Sequence, residues 1–218
     1  MCPSLALPPP AVLATYLKQT HAATHSTYTI ELEQAFEVER EGEAAAFAQQ
    51  MANRQLLWHG SRLTNWCGIL STGLRIAPPE APVTGYMFGK GVYFANMSSK
   101  SANYCFASSS SPTGVMLLCD VALGKQYERL SSEYDADKSC KKAKADSTWG
   151  KGKTAPDKAG YATLPGEPQV TLPMGAGMPS GVKDSSLLYD EFIVYNTNQI
   201  RQKYVLQVKF HFKSHMGW

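Results

Sequence analysis

No run of apolar residues in this chain approaches the roughly 20 needed to cross a bilayer as a helix. Basic residues are missing from the opening stretch "MCPSLALPPPAVL", which four prolines interrupt, so a secretory leader is not expected. Cysteine is scarce: Cys2, Cys67, Cys105, Cys119 and Cys140 are odd in number and irregularly spaced, and no C-x-x-C occurs. That pattern argues against a disulfide framework and for a reducing, intracellular compartment. A charge excess is also lacking, with 21 Lys and Arg against 18 Asp and Glu and a formal net charge of +3. A dedicated nucleic-acid-binding surface usually carries a stronger, clustered excess.

Apolar residues are plentiful: 44% of 218 residues are hydrophobic and 11% aromatic, enough for the core of one large domain or of a domain with a long elaboration. Residues 1–19 read as a proline-rich lead-in. "YTIELEQAFEV" (28–38) begins with strand alternation, "EAAAFAQQMAN" (43–53) is rich in helix formers, and "RQLLWHGS" (54–61) reads as a buried strand ending at glycine. "TNWCGILSTG" predicts a compact helix, capped by Thr64 and closed by Gly73. After the loop "APPEAPVTGYMFGKG" come the short strand "VYFA", a helical "MSSKSANYCFA" (97–107) and the strand "GVMLLCDVAL" (114–123). Residues 124–186 read mostly as loop. "KYVLQVKFHF" (203–212) alternates cleanly through Tyr204, Leu206, Val208, Phe210 and Phe212. Many short strands and few short helices predict an α+β fold with two mainly antiparallel sheets.

Three patterns fail on inspection. "GKT" (152–154) lacks the first glycine of a phosphate-binding loop, since Ser147 stands there. "GAGMPSG" (175–181) is one residue out of step with the dinucleotide fingerprint. His211 and His215 have no cysteine or acidic cluster to join them, so no metal site is expected. The lysines at 138, 141, 142, 144, 151 and 153 read as a solvated loop, with a polyanion-contacting patch as the minority reading.

"LLYDEFIVY" (187–195) raises a question about its two acids. Read as a strand, it places Leu187, Tyr189, Glu191, Ile193 and Tyr195 on one face and Leu188, Asp190, Phe192 and Val194 on the other. Both faces are mostly apolar, so the strand should be covered on both sides and both carboxylates should be buried. A buried carboxylate is costly unless hydrogen-bonded or chemically employed.

Four words, in this order, carry a resemblance: "LLWHGSR" (56–62), "TGYMFGKGVYFA" (84–95), "SKSANYC" (99–105) and "LLYDEFIVY". Together with "THAATHSTY", "EREGE" and "GLRIAPPEAPVTGYMFGKG", they resemble the catalytic domain of the poly(ADP-ribose) polymerases, within the diphtheria-toxin-like ADP-ribosyltransferases. The resemblance covers residues 20–218 and implies that fold and a catalytic domain of those bounds. It implies NAD as substrate and no metal. The family's His-Tyr-Glu triad falls on His59, Tyr93 and Glu191. Cleaving the nicotinamide–ribose bond builds positive charge on the sugar, and a carboxylate on the neighbouring hydroxyl counters it, as in glycoside hydrolysis. Glu191 is therefore the expected functional acid. Asp190, on the other face, is expected to make an ordinary hydrogen bond to backbone or solvent.

By the same resemblance, His59 bonds the adenine-side ribose, Gly60 presents its backbone to the nicotinamide carboxamide, and Ser101 adds a hydroxyl. Tyr104, three residues on, stacks on nicotinamide opposite Tyr93. Ser61, Asn65, Arg75 and Tyr86 line the adenosine and diphosphate part. His25, Met87, Lys100 and Tyr189 match positions around an incoming ADP-ribose, which with Glu191 implies polymer formation over single transfer. The implied partners are acceptor proteins, the chain itself among them, and ADP-ribose polymer. No DNA-binding module and no membrane contact is expected, and the resemblance implies a nuclear location. At most the last turn of the family's helical regulatory domain would survive around "AVLATYLKQT" (11–20), making the chain either a fragment or a compact member. Four rivals stand beside this reading: a mono-ADP-ribosyltransferase or an NAD glycohydrolase using the same site, a non-enzymatic reader of NAD or ADP-ribose, which should have lost part of the triad, and a structural or nucleic-acid-binding module, for which the charge balance offers little.

Overall fold

A computed structural model describes residues 10–78, 80 and 86–213; residues 1–9 of the lead-in, 79 and 81–85 of the proline-rich loop, and His215 lie outside the described residues. The larger sheet runs in the order β1 (Tyr28–Glu37), β12 (Ile200–Phe212), β4 (Thr113–Ala122), β2 (Arg54–Gly60), β9 (Glu167–Pro173) and β8 (Tyr161–Leu164). The smaller sheet runs β3 (Val92–Phe94), β11 (Glu191–Val194), β6 (Ser147–Gly150) and β5 (Gln126–Arg129). A ribbon of β7 (Thr154–Pro156) and β10 (Gly177–Pro179) completes the strands. Pairing is antiparallel except between β2 and β9 and between β5 and β6. The helices are α1 (Pro10–Gln19), α2 (Glu43–Ala46), α3 (Trp66–Thr72), α4 (Ser98–Ala102) and α5 (Ala136–Lys142). The α+β class with few short helices is as the sequence implies.

The alternation that marks β12 buries Tyr204, Leu206, Val208 and Phe210 against α1, whose Leu13, Tyr16 and Leu17 face the same core. Residues 10–19 are thus an integral helix. Tyr16 packs against Trp58 at 4.7 Å between ring centroids and donates its hydroxyl to the Leu56 carbonyl at 2.8 Å. Each large side chain buried this way contributes about 1.5–3 kcal/mol. Leu57, Trp66, Ile69, Val92, Phe94, Phe192 and Val194 form a second core between the two sheets.

Several details depart from the sequence reading. Residues 124–186 hold six strands and α5, most of them three or four residues long. Strands this short show no alternation, and the parallel β5–β6 pair is set by partners distant in the chain. Thr64 lies inside a 3₁₀ turn (Leu63–Asn65) and does not cap α3, whereas Gly73, at φ +81°, does close it, its N–H bonding Ile69 O at 3.0 Å. The stretch 43–53 is helical only over α2, because Phe47 turns extended to bury its ring. Within 187–195 only Glu191–Val194 is strand; Leu188 is 59% exposed, and Tyr189 makes a lone parallel bridge to Thr154.

Besides the shared core, a backbone bridge joins the two sheets. Trp58 of β2 and Ala95, just after β3, exchange both backbone hydrogen bonds, at 2.9 and 3.0 Å. The strand ends carrying His59 and Tyr93 are therefore held side by side.

Candidate active site

A cleft of about 200 Å³ opens at this junction, lined by His59, Gly60, Tyr86, Met87, Tyr93, Phe94, Ala95, Lys100, Ser101, Tyr104 and Glu191. Four separate sequence words thus supply one site. β2 ends in His59 and Gly60, β3 carries Tyr93, β11 opens with Glu191, and α4 with the 3₁₀ turn after it supplies Lys100, Ser101 and Tyr104.

His59 Nδ1 donates to the Tyr93 carbonyl at 2.9 Å, because a carbonyl can only accept. Nε2 is then the acceptor nitrogen. Burial holds this imidazole below its ordinary range, outweighing the raising effect of that hydrogen bond, so the ring is neutral near pH 7. Tyr93 is oriented by its hydroxyl, which donates to Gly89 O at 2.7 Å and accepts from Phe88 N–H at 2.9 Å. Burial, with the Glu191 carboxylate adding to it, pushes the Tyr93 phenol far up, so it stays protonated. Ser101 Oγ donates to Trp58 O at 3.0 Å, tying α4 to the end of β2. Lys100 Nζ lies 2.5 Å from Glu191 Oε1, a pair that is largely buried. Tyr104 is 55% exposed, an uncovered aromatic face at the cleft's edge.

Gly60 has a packing role that the sequence did not show. A Cβ there would lie 1.9 Å from the Ser101 carbonyl oxygen, so α4 presses directly on β2 backbone. On the opposite flank, Tyr189 and His25 have ring centroids 5.4 Å apart, and the Tyr189 hydroxyl bonds the Thr24 hydroxyl. His25 Nδ1 bonds Ser99 Oγ at 2.8 Å; burial, then His21, then Lys100 hold its imidazole low.

Not every expected residue joins the cleft. Ser61 and Asn65 bond each other at 2.9 Å outside its lining. Arg75 is exposed and lines a different cavity, about 300 Å³, with Arg40 and Glu43. A third cavity, of about 610 Å³, lies on the far side of β11, lined by Asp190, Phe192, Asn96 and the ribbon strands. Phe88 and Gly89, which hold the Tyr93 hydroxyl, were within the quoted word "MFGKG" but carried no side-chain chemistry to single them out. Among the described residues, no group of three or more His, Cys, Asp or Glu could hold a metal ion. His211 instead pairs with Glu31 at 2.7 Å on the exposed sheet edge.

Comparison with known proteins decides the family. The model of the poly(ADP-ribose) polymerase catalytic domain matches residues 11–210. The chain belongs to this family. The domain is 56% identical over 205 residues to poly [ADP-ribose] polymerase 2 of Arabidopsis thaliana, covering 93% of this chain and 32% of that protein. It is 53% identical over 204 residues to poly [ADP-ribose] polymerase 2 of Homo sapiens, covering 92% and 34%. With poly [ADP-ribose] polymerase 1 of Gallus gallus it shares 52% identity over 205 residues, covering 93% and 20%. The chain thus spans about a third or less of the length of these curated relatives. As a poly(ADP-ribose) polymerase catalytic domain it has the α+β ADP-ribosyltransferase fold expected from the resemblance.

Proposed function

We propose that this domain binds NAD in the cleft at the sheet junction and transfers its ADP-ribose to protein side chains and to growing ADP-ribose chains. The observation that carries the reading is the meeting of His59, Tyr93, Glu191 and Lys100 in one cleft of a chain from this family. Each residue has chemistry that suits its role. The His59 Nε2 lone pair accepts a hydrogen bond from the adenine-side ribose. The Gly60 backbone and the Ser101 hydroxyl receive the nicotinamide carboxamide, and the rings of Tyr93 and Tyr104 flank its plane. Glu191 holds the neighbouring ribose hydroxyl, and its interaction strengthens as the sugar gains positive charge, so it acts on the transition state more than on the bound substrate. Arg75 and Asn65, beyond the cleft's lining, serve the adenosine and diphosphate end.

Polymer growth needs the acceptor hydroxyl to lose a proton, and Glu191 supplies a base at that point. Lys100, Met87, His25 and Tyr189 form the acceptor flank. Acceptors include other proteins and the chain itself, NAD is consumed without a metal, and the working location is the nucleus. The test is incubation of the purified chain with labelled NAD, without DNA, followed by gel separation of products. A ladder or smear on protein supports the reading. A single discrete shift would show mono-transfer, and free ADP-ribose with no labelled protein would show glycohydrolysis. Separately, a benzamide should raise the melting temperature, because a ligand that binds only the folded state stabilises it. No shift at saturation would refute the nicotinamide pocket.

A further inference from the structure

Asp190, the second acid of "YDEF", is only 3% exposed and lies behind β11, on the wall of the 610 Å³ cavity. Its carboxylate accepts the Gly152 N–H at 2.7 Å and the Asn96 Nδ2–H at 2.9 Å. Gly152 sits so close that a Cβ would fall 2.2 Å from the Tyr189 carbonyl carbon. Asn96 lies between β3 and α4, three residues after Tyr93 and four before Lys100. One carboxylate therefore ties together the chain entering β11, the exit of β6 and the connection from β3 to α4.

The tie bears on Glu191 directly. Glu191 is the first residue of a four-residue strand and pairs with Gly150 of β6, whereas pairing with β3 begins only at Phe192, so strand pairing alone holds it from one side. Fixing Asp190 fixes the peptide that Glu191 shares with it. The Asn96 amide is committed to this bond. Because Nδ2 must face the carboxylate, Oδ1 is left buried without a partner, a cost accepted at this position. Burial raises the Asp190 carboxyl, while the Gly152 and Asn96 hydrogen bonds, Trp149 and Lys151 draw it back toward ionisation.

We infer that Asp190 and Asn96 are positioning residues for ADP-ribosyl transfer, their hydrogen bond setting where Glu191 stands relative to Tyr93, Lys100 and Ser101. The inference rests on the transferase reading of the cleft. Displacing a reacting group by about 1 Å can cost on the order of a hundredfold in rate with little change in substrate affinity.

The test exchanges the two side chains. In Asn96→Asp alone, two carboxylates face each other, one must take up a proton, and the repulsion grows as pH rises. The other titratable groups around this point are Lys151, Tyr161, Asp157 and Lys158, all lining the same cavity. In Asn96→Asp combined with Asp190→Asn, the new amide accepts from Gly152 N–H and donates to the new carboxylate, so every bond is kept. The single variant should lose about tenfold or more in kcat for nicotinamide release, with KM for NAD nearly unchanged and the loss deepening with rising pH. The exchanged pair should recover to within about threefold of wild type. Should the single variant not fold, Asn96→Ala removes the tie without adding charge, and the same fall in kcat is expected. A single variant, or Asn96→Ala, as active as wild type overturns the inference, as does an exchanged pair no better than the single one. A wild-type chain that releases no nicotinamide overturns the transferase reading and this inference together.

Discussion

Replacing Gly60 by alanine probes the joint between α4 and β2. The added methyl would lie 1.9 Å from the Ser101 carbonyl oxygen and 2.8 Å from its carbon, with backbone on both sides of the clash. Restoring ordinary contact at 3.4 Å requires α4 to retreat by roughly 1.5 Å, since neither partner is a flexible side-chain end. Overpacking of this kind costs about 1–3 kcal/mol, which for a domain of this size lowers Tm by roughly 2–10 °C. The retreat also carries Ser101 and Lys100 away from Trp58 O and Glu191, so nicotinamide release should fall on the order of a hundredfold. Differential scanning fluorimetry, benzamide titration and a nicotinamide-release assay together read these effects. If Tm held while benzamide affinity vanished, the glycine would serve ligand approach alone and the packing account would be wrong. Unchanged values in all three would refute the close contact itself.

Three further outcomes are expected. Glu191→Gln should leave NAD binding nearly intact while nicotinamide release and polymer length fall on the order of a hundredfold or more, since Gln keeps the shape but not the charge; a variant that still made long polymer would overturn the role of Glu191. Tyr104→Ala should weaken benzamide by about 1–2 kcal/mol through loss of a stacking face, whereas Phe36→Ala, 52% exposed on the far edge strand β1, should not; equal losses would point to general destabilisation. Stability should decline as pH falls. His59 and His25 both have folded values below the unfolded one, so the unfolded chain takes up protons first, and the stability they contribute above the ordinary imidazole range is lost below it. Melting curves from pH 7.5 to pH 5 should be flatter for His59→Gln with His25→Gln, and an unchanged acid limb would contradict this.

How much of this was legible beforehand varied with distance along the chain. β12 was readable because its alternating apolar residues face a core, β4 because its nearly continuous apolar run is buried on both faces, and α3 because Gly73 ends it. That His59, Tyr93 and Glu191 would line one cleft could be expected because each sits inside a dense, recognisable word. Residues 124–186 were opaque, because strands of three or four residues leave no periodic trace and draw their register from distant partners. Leu188 looked buried by alternation, yet the chain there is not strand, so the period does not apply. The packing role of Gly60 and the tie between Asp190 and Asn96 could not be read at all, because both depend on which backbones the fold brings within reach.

The paired hydrogen bonds between Trp58 and Ala95 make a rung of backbone between the two sheets. His59 and Gly60 ride on one side of that rung, and Tyr93 and Glu191 on the other. Amide hydrogen exchange at these two residues therefore reports whether the halves of the cleft are assembled, without any substrate. Slow exchange at both, rising together on any substitution that parts the sheets, would separate variants that dismantle the cleft from those that alter only its chemistry.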